Sequence, residues 1–446
     1  LRRFGLKSTR VVGPDGVGAA TVVVADGRIE AVEPGHCELP DVRDLGDLVL
    51  GPGLVDAHVH LNEPGRTEWE GFRTGTRAAA AGGVTALVDM PLNCLPVTTK
   101  RSALEAKLEA CVGQCFVDVG FWGGVIPGNQ RELEGLARGG VLGCKAFLVH
   151  SGIDEFPNVT EPDLRGALPI LKDLGLPLLA HAELELAVPA AAGDARSYRT
   201  YLASRPAAWE DAAIRLLLAL CRETRAPVHI VHLSAASSLP LLRRAKDEGL
   251  PVTVETCPHY LCFEAESIPD GATEYKCAPP IREHENREAL WQGLLEGVID
   301  FVITDHSPCL PALKGKQQGD FAAAWGGVAS LQLGLSALWT EARRRGATPA
   351  ELGRWLSLAP ARFCGVGARK GRIARGYDAD FVIWDPEARF TVMPEALFFR
   401  HPVSPYLGRE LAGAVRETWL RGRPIFGGGA HVGEASGALL LGRGAA

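Results

Sequence analysis

Eight short apolar runs recur along the middle of the chain, and their number and spacing constrain the fold more than any other feature. In order they are GLVDAHVHL (53–61), GVTALVDM (83–90), VDVGFWGGV (117–125), VLGCKAFLV (141–149), PLLAHAE (177–183), PVHIVHLS (227–234), PVTVETC (251–257) and DFVITDHS (300–307). Runs this short, rich in Val and Ile and bounded by Gly or Pro, read as buried parallel strands. The stretches between them supply helices at 70–82, 101–112, 131–138, 161–174, 209–224, 236–248 and 285–296, and Thr160 stands as N-cap before EPDL. Strands alternating with helices in this way predict an α/β fold, a (β/α)8 TIM-like barrel over 51–365.

The flanks read differently. Residues 1–50 alternate as antiparallel strands do, with turns at GPDG and ADGRI, and past 366 the stretches GRIARGYDADFVIWDP and ETWLRGRPIFGGG return to β character. The two ends, 1–50 and 366–446, are expected to meet as one small discontinuous β-sandwich domain, with an irregular glycine-rich tail after 427.

Composition excludes several classes. A net charge of −6 does not provide the basic surface that nucleic acid requires, and the clusters RRAKDEG and EARRRG read as solvated helix ends. No stretch of ~18 uncharged apolar residues is present to span a membrane. The opening LRRFGLKSTR carries a pair of adjacent arginines but no apolar region behind them, unlike an export signal. Eleven cysteines, an odd number without paired spacing, point to a reducing cytoplasm.

Chemistry-bearing side chains gather at the late ends of the runs. His58 and His60 are two apart, so on a strand they share a face. Lys145 is late in the fourth run, His181 in the fifth, His232 in the sixth and Asp305 in the eighth. In such barrels the C-terminal strand ends carry the active site. Four imidazoles and a carboxylate form a donor set suited to Zn²⁺ or a similar transition metal. An ammonium at Lys145 would be repelled by two such cations. Either it points away, or reaction of its neutral amine with CO₂ makes an anionic carbamate that can bridge them. With a carbamate, Asp305 and one hydroxide, two divalent ions keep a net charge of only about +1.

DAHVH, Lys145, His181, His232 and TDHS, in this order, resemble the amidohydrolase superfamily in its cyclic-amidohydrolase branch. More narrowly, HLNEPGRTEWEGF (60–72), MPLN (90–93), ETCPHYL (255–261), KCAPPIRE (276–283), TDHSPC (304–309) and WGGVASLQLGL (325–335) are similar to allantoinases. The resemblance covers most of the chain. It implies His58, His60 and Asp305 on one metal, His181 and His232 on the other, and Lys145 as an N6-carboxylysine bridging both. Zn²⁺ comes first, with Co²⁺, Mn²⁺ or Fe²⁺ as alternatives, and a homotetramer is implied too. The implied reaction is hydrolysis of the cyclic amide of allantoin to allantoate by a hydroxide between the metals. In it Asp305 takes the hydroxide's proton and gives it to the departing ring nitrogen.

Substrate choice rests on fewer residues. Dihydroorotases carry Arg where Asn62 stands, to pair with a substrate carboxylate that allantoin lacks. Hydantoinases and dihydropyrimidinases share the metal set. Cys277 to Pro279 and Gly326 to Gly327 correspond to loops whose backbone meets the ring amide, which makes Ala278 and Gly327 candidate substrate contacts. Asn93 either bonds the substrate or stabilises its loop. A non-catalytic assembly homologue is disfavoured, because all six metal-site positions are filled. His259 faces the site or steadies its loop. His229, three before His232, is expected on the opposite face as a structural residue, and His150 and His306 point away by the same parity. Cys94, Cys144 and Cys309 lack a paired histidine base and read as packing. GVGARKG (365–371) lacks the strand–turn–helix setting of a dinucleotide site.

Overall fold

The computed structural model describes residues 3–35, 39–187, 193–442 and 444–445, which leaves Cys37 outside the described residues. All eight runs contain strands: Leu54–Val59, Val84–Asp89, Asp118–Phe121 (continued by Gly123–Gly124), Cys144–Phe147, Leu178–His181, Val228–Ile230, Val252–Thr256 and Phe301–Val302. Every residue of the first two is buried. A parallel sheet covered on its outer face by helices has no wet side, so its strands are apolar runs, not alternating ones.

The seven expected helices form at Phe72–Ala81, Arg101–Cys111, Leu133–Gly139, Glu161–Asp173, Ala207–Thr224, Leu239–Asp247 and His284–Leu295. At the fourth, the Asp163 carboxylate accepts the Thr160 backbone N–H at 2.9 Å and its hydroxyl at 2.6 Å. An eighth helix, Gly334–Ala342, follows the last strand. It escapes a search for helical periodicity because most of its residues are buried, so no polar face interrupts the apolar run.

These strands pair in parallel, in two arcs. One arc runs from Phe301–Val302 through Val252–Thr256, Val228–Ile230, Leu178–His181 and Cys144–Phe147 to Gly123–Gly124. The other runs from Asp118–Phe121 through Val84–Asp89 to Leu54–Val59. The ladder between them is not continuous. They approach at residues 118–124, which supply a strand to each, and at a parallel bridge between Val59 and His306, where the His60 N–H donates to the His306 carbonyl at 2.9 Å.

Strands from both chain ends share a second, nine-stranded sheet, in which Val49–Pro52 lies between Arg3–Gly13 and Phe381–Thr391. It is a single hydrogen-bonded ladder, not two separate sheets. Phe4, Leu6, Val22, Val24, Leu50, Phe381, Ile383 and Trp419 form its core. The hairpin at Asp26–Gly27 has φ of 54° and 77°, the two positive values of a type I′ turn that suits the twist of its strands.

The tail after 427 departs from the irregular form expected of it. Ala430–His431 extends the terminal sheet, and Leu439–Leu440 pairs in parallel with Asp118–Phe121 at the edge of a barrel arc. Asp118 fastens this return: its carboxylate accepts the Ala438 N–H at 2.7 Å and pairs with Lys370 at 2.7 Å and Arg421 at 2.6 Å. The connection from Phe381–Thr391 to Glu410–Leu420 reaches the barrel's rim. There the Arg400 N–H donates to Glu70, Ser404 Oγ donates to the Ala329 carbonyl, and Phe399 packs on His306.

Candidate metal centre

A cavity of about 490 Å³ opens where the late ends of the strands converge, within the range of small-molecule sites. His58, His60, Asn93, Lys145, His181, His232, Ala278, Asp305 and Gly327 all line it. Asn62 does not. It has φ of 64°, is buried, and its Nδ2 turns to the Pro308 carbonyl 3.4 Å away, outside the cavity wall. Gly327 lines the wall, but its N–H donates to the Lys276 carbonyl and its own carbonyl accepts from Lys314. Its backbone groups are thus already engaged.

The donor atoms of His58, His60 and Asp305 lie within 4.8 Å of one another, the one such group among the described residues. Asp305 Oδ1 is 3.3 Å from Nε2 of His58 and 3.7 Å from Nε2 of His60. Asn93 Nδ2 lies 3.3 Å from the other nitrogen of His60, which ties its loop to this ring, and Asn93 Oδ1 is buried without a partner. The His232 ring is 4.7 Å from that of His181 and 5.4 Å from that of His58. His181 in turn stacks on Phe147.

Burial pushes His60 down to about 3 and His181 to about 4, and holds His58 and His232 well below their ordinary value. All four imidazoles are therefore neutral at physiological pH, the form that ligates a metal. Lys145 is 1% exposed, and its Nζ has no hydrogen-bond partner. Burial lowers its amine to about 8, against the pull of Asp305 and Glu255. A buried, unpartnered amine beside four neutral imidazoles and a carboxylate is incomplete as an ordinary core. This donor set fits divalent cations, and the lowered Lys145 amine gives up its proton more readily than a free lysine does.

Several neighbours were not anticipated. Glu255 Oε1 is 2.6 Å from Nδ1 of His58, and Glu183 Oε2 is 2.6 Å from Nε2 of His181. Arg205 donates to Glu183, and the Ser307 hydroxyl donates to Asp305 Oδ1 at 2.9 Å. Glu183 carried a readable signal, since it follows His181 by two at the end of its run, and a glutamate within the apolar PVTVETC was another. The parity argument for His229 fails. Its strand stops at Ile230, and His232 lies beyond it with φ of 36°. His229 packs beneath the site instead, 3.0 Å from the Glu255 carboxylate that also holds His58.

The remaining histidines separate clearly. His306 Nδ1 accepts the Ser330 N–H at 3.1 Å, so its Nε2–H donates to Glu70. His150 borders the cavity but is exposed, with Asp154 3.4 Å away. His259 is buried with no partner at either nitrogen, so of its two readings the loop-steadying bond is missing. Burial lifts the Cys144 thiol to about 12, which suits packing and not nucleophilic chemistry.

The sequence pattern of the amidohydrolase family matches residues 49–425. The chain belongs to the amidohydrolase family. This amidohydrolase is 51% identical over 440 residues to an allantoinase of Streptomyces avermitilis, covering 98% of each chain. It is 46% identical to an allantoinase of Arabidopsis thaliana, covering 98% of this chain and 91% of the relative. Among solved structures, the L-hydantoinase (dihydropyrimidinase) of Arthrobacter aurescens superposes with a TM-score of 0.92 at 28% identity, covering 98% of this chain and all of that one. The amidohydrolase therefore has the TIM-barrel fold of its family and a site for divalent metal. Among the described residues, no helix is long and apolar enough to cross a membrane.

Proposed function

We propose that the protein hydrolyses the cyclic amide of allantoin to give allantoate. The observation that carries this reading is the 51% identity, along 98% of both chains, to the Streptomyces allantoinase. His58, His60 and Asp305 would hold one divalent ion and His181 and His232 a second, Zn²⁺ before Co²⁺, Mn²⁺ or Fe²⁺. Lys145, once carboxylated by CO₂, would supply an anionic oxygen donor to both. Its unpartnered, buried amine supports this role. When bound, such ions would supply a water of lowered pKa and polarisation of the amide carbonyl.

Asp305 moves the proton. Its carboxylate lines the cavity, and the Ser307 hydroxyl fixes one of its oxygens at 2.9 Å, which places it to accept a proton and return it. It takes the proton of the attacking water and passes it to the ring nitrogen as the C–N bond breaks. Asn93, with a free buried Oδ1 in the cavity wall, orients the substrate's N–H groups, and Ala278 contributes backbone to the ring. Asn62 acts by what it is not: no arginine stands there to pair with a carboxylate. Arg205, on the far wall, is neutralised by Glu183. This favours an uncharged substrate over dihydroorotate.

Hydantoinase activity is the second reading, because the Arthrobacter enzyme shares the fold so closely. A panel of allantoin, hydantoin, dihydrouracil and dihydroorotate on metal-loaded protein decides between them. Allantoin should be turned over fastest, and faster hydrolysis of any other member rejects the proposal. We further assign residues 51–365 to the catalytic barrel and 1–50 with 366–446 to a discontinuous β-domain, supported by the sheet that both ends build. A cytoplasmic homotetramer completes the proposal.

A further inference from the structure

Two of the ligand histidines lean on buried carboxylates that the chemistry above leaves unused. Glu255 and Glu183 are both 0% exposed. Glu255 Oε1 lies 2.6 Å from His58 Nδ1, while its other oxygen is 3.0 Å from Nε2 of His229 without the alignment of a hydrogen bond. His229 is braced in turn by Thr253 Oγ1 at 2.7 Å, and the His232 backbone N–H also points at the Glu255 carboxylate. On the opposite side, Glu183 Oε2 lies 2.6 Å from His181 Nε2, and its charge is matched by Arg205, whose Nε is 3.0 Å from Oε1.

An imidazole has two nitrogens with different duties. The one facing a carboxylate carries the hydrogen, which leaves the lone pair of the other for a metal. Glu255 thereby selects Nε2 of His58, the nitrogen 3.3 Å from Asp305, as donor. Glu183 selects Nδ1 of His181. The two carboxylates reach the centre from different strands and touch the side chains of different ligands.

We propose that Glu255 and Glu183 are positioning residues with divided duties, Glu255 governing the metal at His58, His60 and Asp305, and Glu183 the metal at His181 and His232. The assignment rests on the two-metal reading above. Glutamine in either place keeps the shape and one acceptor oxygen but removes the negative charge that holds the imidazole hydrogen. The ring's orientation and its metal-facing lone pair are then held less firmly.

The test uses Zn²⁺-loaded wild type, Glu255→Gln and Glu183→Gln. Each is dialysed against graded chelator, metal per chain is measured by elemental analysis, and crystals are examined at the zinc absorption edge. Each variant should lose about 10- to 100-fold in affinity for one ion and keep the other. The anomalous peak should fade at His58 and His60 in Glu255→Gln, and at His181 and His232 in Glu183→Gln. Retention of both ions at wild-type affinity, loss of both together, or loss of the same ion in both variants overturns the proposal. Should a glutamine variant not fold, Glu255→Asp and Glu183→Asp, which withdraw the charge by one methylene, carry the same expectation. A wild type holding fewer than two ions would instead reject the two-metal reading itself.

Discussion

Asp305 and Lys145 occupy the same cavity, and the proposed mechanism gives them opposite needs: one moves a proton, the other loses its own. Replacing Asp305 with Asn keeps a ligand oxygen but removes the proton carrier. Turnover of allantoin should fall by about 10²–10⁴-fold, the span of general acid–base catalysis, in protein whose zinc content is checked to be intact. Replacing Lys145 with Met fills nearly the same space with a side chain that cannot react with CO₂. Such a protein should fold yet hold little zinc after dialysis, whereas full occupancy would show that the lysine bridges nothing. Which residues meet at the cavity was legible from position alone, since His58, His60, Lys145, His181, His232 and Asp305 each stand late in an apolar run. Asn62 was not, because a residue correspondence says nothing of its φ of 64° or of its position outside the cavity wall. Parity also misled at His229, because counting by twos holds only while the chain remains a strand.

At the scale of elements, the eight barrel strands were readable because each is buried on both faces and so stands out as a short apolar block. The helix Gly334–Ala342 was hidden by the same burial, which erased its periodicity. The return of Leu439–Leu440 to the barrel was hidden by its brevity, for two residues make no pattern. That return hangs on Asp118. Burial alone would raise this carboxyl, but Lys370 and Arg421 outweigh it and hold the group below its ordinary value. Removing one partner from a buried ion cluster costs about 3–5 kcal/mol, so Asp118→Asn should lower unfolding stability in urea by that amount at pH 7. The sign of the pH effect follows from the depressed value. The contribution is fully present above the ordinary aspartate range of roughly 4 and disappears as pH falls through the lower folded-state value. The gap between wild type and variant should therefore close in acid, and a gap that persists there would argue against an ionic role for Asp118.

For the whole molecule, the terminal sheet and the barrel are tied together at widely separated places. Lys370 links Asp118 of a barrel strand to Asp378 and Asp380 beside the sheet, and the segment carrying Phe399 and Arg400 grips the loop of Glu70 near the metal ligands. With such ties, neither part should melt without the other. Calorimetry of the metal-loaded protein should show one transition, and two well-separated peaks would mean that the parts unfold independently. The sheet also carries a consequence for synthesis. Val49–Pro52 leaves the ribosome early, yet its partner Phe381–Thr391 follows only when most of the chain has been made. Until then the early strands present a bare edge of unpaired amides and carbonyls, open to neighbouring chains. A truncated translation product would keep that edge permanently, so premature termination should yield aggregating protein in place of a functional fragment.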